Sequence, residues 1–305
     1  MNNQSPKRTC LCECTNFVYV SGDTVSLDFS WRGPLPQAGQ FFLIKPRRTG
    51  LFLARPFSFA GWKPRKPLSA KSAVFRGSED RRVNMERRKI IDHSRRFDRR
   101  ISADRRISAD RRVNSGGILR FLVSRRGRGS RELFDMRPGE EAELSGPLGN
   151  FWPLDEIPKG PIALISGGVG IAPLLALAQE LKKRPFDLYA GFRTGFFGLE
   201  GIKPRVLLIS TEDGSYGVKG RILDFFTTVG YSAVFACGPE PMLKTLADSC
   251  IAAGIPCFMG TERHMACGVG ACLGCKIKTT RGNLCCCTDG PIFSAEELYF
   301  ETQGL

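Results

Sequence analysis

Six of the chain's twelve cysteines fall within residues 264–291, HMACGVGACLGCKIKTTRGNLCCCTDGP. Cys267, Cys272 and Cys275 stand at C-x4-C-x2-C, the ligand spacing of plant-type [2Fe–2S] centres, which take a fourth Cys further along the chain. The intervening residues, GVGA and LG, are small enough to let a loop wrap a metal centre and aim its amides at the sulfurs. The spacing leaves Cys285, Cys286 and Cys287 open as the fourth ligand. A zinc site on Cys272, Cys275 and two of Cys285–Cys287 is the rival reading, and it leaves Cys267 unused.

The other cysteines carry weaker signals. Cys10, Cys12 and Cys14 alternate along a strand-like stretch with no fourth ligand nearby, which predicts packing or surface thiols. No apolar run reaches the roughly 18–20 residues that span a bilayer. The start, MNNQSPKRTCLCEC, has no signal-peptide core. These features predict a cytoplasmic protein without a membrane partner, where clustered cysteines serve metal or redox chemistry more than disulfides. Only two histidines are present, His93 and His264, which argues against a proton-shuttling hydrolase.

The net charge of +15 invites a nucleic-acid reading. Residues 63–112 hold 18 Lys and Arg against 7 Asp and Glu, so this one segment supplies +11 of the total and the rest only +4. DRRISA recurs at Asp98 and Asp104, DRRVNS follows at Asp110, and DRRVNM stands earlier at Asp80. A six-residue period with so few apolar positions builds no core, so 63–114 reads as a basic low-complexity insertion in a surface loop, largely disordered. An RNA- or membrane-binding arm is the alternative. It is poorly supplied with stacking aromatics, since only Phe75 and Phe97 interrupt the charges.

On either side of the insertion the pattern is short strands with Gly and Pro punctuation. CLCECTNFVYV, TVSLDFSW, QFFLIKP, GILRFLVSRRG and EEAELSGPLGNF predict a small antiparallel β-barrel. From residue 160 strands alternate with helices. PIALISGG precedes APLLALAQELKKR, whose last turn carries Lys182, Lys183 and Arg184. FDLYAGF, VLLIST and AVFACG follow, then PEPMLKTLADSCIAAG, closed by Gly254. That alternation predicts a parallel α/β sheet. The class is α/β plus all-β, in three parts. Residues 1–155 form the barrel, 156–258 the α/β domain and 259–305 a small cysteine-rich domain.

Three further motifs point to nucleotide chemistry. In ISGGVGIAP, Gly167, Gly168 and Gly170 sit between a strand and a helix, where backbone closely approaches a pyrophosphate. In ACGPEPM, Cys237, Gly238 and Pro239 follow another strand; Cys237 either lines the crevice or is a small buried residue. In ARPFSFAGW, Arg55 suits a phosphate and Ser58 a flavin ring, with Gly129 and Ser130 of RGRGSREL offering a close backbone and a hydroxyl to a diphosphate.

These motifs, in this order, resemble the electron-transfer subunits of two-subunit, NAD-dependent dihydroorotate dehydrogenases, within the ferredoxin–NADP reductase superfamily. The likeness covers 8–62 and 115–305. Arg55, Pro56, Phe57 and Ser58 match the family's flavin motif. Leu122, Val123 and Ser124 fall at its other flavin-contacting stretch, and Gly129 and Ser130 stand where the family has Gly-Thr. GGVGIAP and CGPEPM match its nicotinamide motifs, and CGVGACLGC with CTDGPIF its cluster domain. The resemblance nominates Cys287, ahead of D-G-P, as the fourth ligand. It implies an FAD-binding barrel, a Rossmann-like nicotinamide domain and a [2Fe–2S] domain. It also implies FAD, a [2Fe–2S] cluster and NAD(H) as cofactors. Electrons then run from NADH through FAD and the cluster to an FMN-containing catalytic subunit, in a heterotetramer of two catalytic and two electron-transfer subunits serving pyrimidine biosynthesis. No dihydroorotate-binding or catalytic residue is expected on this chain. Subunits of NAD(P)H:ferredoxin oxidoreductases or sulfide dehydrogenases are the runner-up, and nucleic-acid binding through the arginine repeats is a third reading from another class. Arg193 in GFRTG leaves NADH and NADPH both open.

Overall fold

The computed structural model describes residues 8–48, 50–64, 116–181 and 184–300. The basic repeats, His93, Lys182 and Lys183 lie outside the described residues.

Six strands close into an antiparallel barrel, β1 (Arg8–Ser21), β2 (Thr24–Trp31), β3 (Phe41–Pro46), β4 (Arg55–Pro64), β5 (Gly117–Ser124) and β6 (Glu141–Leu148), in the order β1-β2-β5-β4-β3-β6. β1 is long enough to pair with two neighbours. Its first half, Arg8–Glu13, runs against β6 and its second half against β2, with register shifts between Cys14 and Asn16 and again near Ser21. Such irregularities bend a strand, which lets one strand turn the barrel's corner.

The period-2 pattern read from the sequence is the barrel's inside and outside. Phe42 is its hub. Its ring meets Trp31 at 5.0 Å, Phe121 at 5.7 Å and Phe59 at 6.5 Å, all edge-to-face, a geometry that adds about 0.5–1.5 kcal/mol per pair beyond area burial. Gly146 has no Cβ because one there would run into the Phe42 ring. Asp28, the one buried charge among the described residues of the barrel strands, is matched by a two-pronged ion pair from Arg120, Nε at 2.7 Å and Nη2 at 3.0 Å. Helix α1 (Arg128–Phe134) crosses between β5 and β6 and buries Leu133 and Phe134.

The second layer is a seven-stranded sheet of β7 (Ile162–Gly167), β8 (Phe186–Phe192), β9 (Leu207–Thr211), β10 (Val218–Lys219), β11 (Ala233–Cys237), β12 (Cys257–Gly260) and β15 (Ile292–Ser294). Their order is β10-β9-β8-β7-β11-β12-β15, parallel except for β15. The near-continuous apolar runs are the mark of strands buried on both faces. Helices α2 (Ile171–Leu181) and α3 (Glu240–Ala252) follow β7 and β11. The chain leaves β7 in one direction and returns to β11 on its other side, so the strand order reverses between them. Open parallel sheets bind ligands at the carboxyl ends of such a pair.

Two contacts lock α2 to the barrel. Gln179 Oε1 accepts from the Trp62 amide at 3.2 Å, and Glu180 Oε1 accepts from the Ala38 amide at 2.7 Å. Residues 261–291, which the sequence marks only as cysteine-rich, contain a two-stranded hairpin, β13 (Lys276–Thr279) and β14 (Gly282–Cys285). The chain then rejoins the large sheet through β15, which pairs with β12. Among the described residues no helix is long and apolar enough to cross a membrane.

Candidate flavin and iron–sulfur site

A cavity of about 820 Å³ opens where barrel, sheet and cysteine loop meet. That falls within the range of ligand sites for large cofactors. The barrel contributes Arg55, Pro56, Phe57 and Ser58 from β4, Leu122 and Ser124 from β5, and Arg126–Ser130. The sheet domain contributes Val169, Ala172 and Pro173 at the start of α2. The segment leaving β12 contributes Thr261–Met265. Strand alternation decides the β5 residues. Leu122 and Ser124 face the cavity, whereas Val123 is fully buried in the barrel core and offers only backbone.

Arg55 and Gly129 are matched pieces. A Cβ on Gly129 would lie 2.6 Å from Arg55 Nε, so the glycine lets the guanidinium lie across the loop. Arg55 Nη1 donates to the Leu53 carbonyl at 2.7 Å, which holds the side chain in place. The Ser130 hydroxyl accepts from the amides of Arg126 (2.9 Å) and Gly127 (3.0 Å) and so closes the Arg126–Ser130 loop. Arg126 and Arg128 add positive charge that the sequence reading did not single out. Their signal was the RRGRG run itself.

At the switch point the glycines divide their work. Gly170 has no Cβ because one would collide with the Cys237 carbonyl, and a Cβ on Gly167 would lie 2.6 Å from Pro239. Gly238 in turn lies within 2.9 Å of the Gly167 amide by the same test. These three press GGVG against CGPEP. Gly168, at φ +56° and with nothing within 4 Å of its Cβ position, is the one left unpacked. Cys237 is buried, with its thiol beside Gly260 and its pKa pushed well up by burial. Its side chain is packing, the second of the two roles the sequence allowed. Gly238 and Pro239 instead border a smaller cavity of about 200 Å³, which shares Thr261, Glu262 and Arg263 with the large one.

The cysteine loop follows directly. Cys267 Sγ accepts from the amides of Val269 and Cys272, both at 3.4 Å, and Cys287 Sγ accepts from Gly270 at 3.2 Å. Positive φ at Gly268 (+67°), Gly270 (+78°) and Leu273 (+56°) turns these amides inward. Leu273 is the only non-glycine with positive φ among the described residues. That backbone costs a side chain about 1–2 kcal/mol, a strain typical of functional loops. The amides donated by Val269 and then Cys272 pull the Cys267 thiol down to about 6, while burial pushes Cys287 up to about 12.

Cys267 interacts with Cys272, and Cys275 with both Cys285 and Cys287. Use of Cys267 separates the two metals: the C-x4-C-x2-C set of a [2Fe–2S] centre includes it, and the zinc set leaves it out. Neighbouring side chains sort the triple cysteine. Cys285 and Cys287 both have side-chain interactions with Cys275, whereas the Cys286 thiol makes its hydrogen-bond contacts with Thr261. Of the first two, Cys287 also takes an amide from the Cys267–Cys272 loop. The donor set and inward amides fit a [2Fe–2S] cluster, and the cavity with its arginines fits FAD.

The cysteines seat on the barrel. Cys275, Cys285, Cys286 and Cys287 form one buried group with Phe41, Leu43 and Leu148. Asn150, which belongs to no sequence motif, pins the turn. Its Nδ2 donates to the carbonyls of Asp289 (3.0 Å) and Ile292 (2.8 Å), and its Oδ1 accepts from the Ile292 amide (2.9 Å).

Barrel, switch point and cysteine loop around one cavity define an electron-transfer module of the ferredoxin-reductase type. The fold matches that of the NADH-dependent reduced ferredoxin–NADP oxidoreductase of flavin-based electron bifurcation, with a TM-score of 0.69 and 23% identity over 95% of this chain and 90% of that one. It also matches the ferredoxin reductase of carbazole 1,9a-dioxygenase, with a TM-score of 0.56 and 19% identity over 82% of this chain and 67% of that one. The profile of the iron-sulfur cluster binding domain of dihydroorotate dehydrogenase B matches residues 262–299. The electron transfer subunit of dihydroorotate dehydrogenase B (NAD(+)) from Clostridium perfringens is 40% identical over 192 residues, 61% of this chain and 78% of that one. Its counterpart from Caldanaerobacter subterraneus subsp. tengcongensis is 30% identical over 289 residues, 92% and 94%. The chain belongs to the family of dihydroorotate dehydrogenase B (NAD(+)) electron transfer subunits.

Proposed function

We propose that this chain carries electrons between NADH and a dihydroorotate dehydrogenase catalytic subunit, using FAD and a [2Fe–2S] cluster, in pyrimidine biosynthesis. The observation that carries the reading is the single cavity bounded at once by the barrel's RPFS strand, the start of α2 and the residues leading into the cysteine loop. FAD there supplies the conversion between the two-electron chemistry of a nicotinamide and the one-electron chemistry of the cluster.

The residues take separate roles. Arg55, Gly129 and Ser130, with Arg126 and Arg128, hold the diphosphate. Pro56, Phe57, Ser58, Leu122 and Ser124 line the ring site and keep water from it, with Val123 behind them. Gly167, Gly168, Gly170, Gly238 and Pro239 shape the nicotinamide crevice. Cys267, Cys272, Cys275 and Cys287 hold the cluster, and Cys237 supports the crevice floor. We read 1–155, 156–258 and 259–305 as the three functional divisions. The partner carries FMN and the dihydroorotate chemistry, two copies of each subunit assemble, and the complex works in the cytoplasm.

The test is co-purification with candidate partners and an absorption spectrum of the complex. Flavin and [2Fe–2S] bands together with a dihydroorotate dehydrogenase partner are expected. The same bands with a ferredoxin or sulfur-metabolising partner instead would overturn the assignment.

A further inference from the structure

The proposed ligand set leaves two of the three consecutive cysteines spare, Cys285 and Cys286; Cys286 is fully buried and is the one in contact with Thr261. Its thiol sits 3.5 Å from Thr261 Oγ1 and donates to the Thr261 carbonyl at 3.6 Å. The Thr261 hydroxyl has a single proton, and it goes to the Pro291 carbonyl at 2.9 Å, which the Thr261 amide also reaches at 2.9 Å. The Cys286 thiol also has one proton, so it serves the Thr261 carbonyl and Oγ1 together as a single shared, three-centre donor. On its other side the Cys286 amide donates to the Cys275 carbonyl at 3.0 Å. Thr261 lines the large cavity and opens the Thr261–Met265 segment that walls it. Cys286 thus bridges the cavity wall and the backbone of a cluster-binding cysteine.

Resting on the relay proposed above, we propose that Cys286 is a positioning residue: its thiol clamps Thr261 to the turn that precedes β15, and so fixes the spacing between the flavin cavity and the cluster loop. The role involves no change at sulfur. No bond to Sγ forms or breaks, and the two electrons of each NADH cross one at a time with Cys286 in the same state before and after.

The experiment uses the full chain as Cys286→Ala, Cys286→Ser and Thr261→Val variants. Amide hydrogen exchange over 261–265 reads the clamp and needs no bound cofactor, so it stands even if the relay reading fails. Anaerobic rapid mixing of the reconstituted protein with NADH reads the flavin and cluster bands separately. Cys286→Ala is expected to raise exchange at Thr261, keep a full cluster spectrum and slow electron arrival at the cluster ~10-fold, the scale of losing a partner behind a metal ligand. Flavin reduction by NADH changes less. Cys286→Ser keeps a donor and restores most of the protection and the rate. Thr261→Val keeps the carbonyl that Cys286 donates to but loses the hydroxyl's contacts to Cys286 and Pro291; it too raises exchange at Thr261, and combining it with Cys286→Ala gives less than the sum of the two. Wild-type exchange and transfer in Cys286→Ala would overturn the proposal, because the covalent run Met265–Cys267 would then set the spacing alone. Loss of the cluster in both Cys286 variants would also overturn it, by making Cys286 a ligand.

Discussion

The chain has two cysteine-rich stretches with opposite fates. In β1, Cys12 and Cys14 alternate into the barrel core and are essentially inaccessible. Burial pushes their thiols up to about 12 and about 11. In the cysteine loop, Cys267 is pulled down to about 6. Residue type is the same, so the backbone makes the difference. A strand spends its amides on its neighbours, as β1 does against β2 and β6. A loop kept open by Gly268 and Gly270 has amides free to point at sulfur. At Cys267 those amides win and favour the thiolate, whereas at Cys287, which takes one amide, burial wins and pushes the thiol up to about 12.

The largest test of this contrast is the cluster itself. Cys267→Ser, Cys275→Ser or Cys287→Ser should abolish the visible cluster absorption, whereas Cys12→Ser and Cys285→Ser should keep it. A normal cluster in Cys287→Ser would overturn the nomination of Cys287. Next comes reactivity. In the cofactor-free chain Cys267 should be the fastest thiol to alkylate at neutral pH, with Cys12 and Cys14 silent until unfolding. Because its pKa is lowered, Cys267 is mainly thiolate above about pH 6 and its rate falls as pH drops through that value. Peptide mapping after a short iodoacetamide pulse measures this.

A smaller effect comes from the backbone. Gly270→Ala puts a side chain at φ +78° and should cost about 1–2 kcal/mol of loop stability, seen as faster cluster loss to a chelator. A comparable alanine for Cys14 removes packed sulfur and should cost about 1 kcal/mol in a thermal or denaturant melt, with cluster and flavin spectra unchanged. The smallest is a pH effect on the barrel. Folded Cys12 and Cys14 hold their protons above the pH at which unfolded thiols lose them. Their contribution is thus complete at neutral pH and declines as pH rises from the ordinary thiol pKa toward about 11–12. Cys12→Ala should flatten that alkaline limb.

Much of the site was legible because short motifs carry local geometry. C-x4-C-x2-C needs only a loop, and the glycine turns need only a strand followed by a helix. GGVG does make a close approach, but the atoms nearest the Cβ positions of Gly167 and Gly170 belong to Pro239 and Cys237. Sequence had no means of pairing residues 167–170 with 237–239 until the sheet set β7 beside β11. Asn150 and Thr261 were invisible for the same reason. Each acts across a long sequence separation, and neither residue type in its local setting announces a hydrogen bond.

By itself, then, the sequence determined the barrel and sheet strands through their alternation and apolar runs, and nominated the first three candidate cluster cysteines through spacing, because those properties are settled within a few residues. Only the tertiary structure decided which way each of Cys285, Cys286 and Cys287 faces, which glycines pack and which stays open, and that the cavity and the cysteine loop share a wall. Those outcomes depend on which backbone amides and carbonyls meet across the fold, and that is fixed when the barrel, sheet and loop bury their common surfaces.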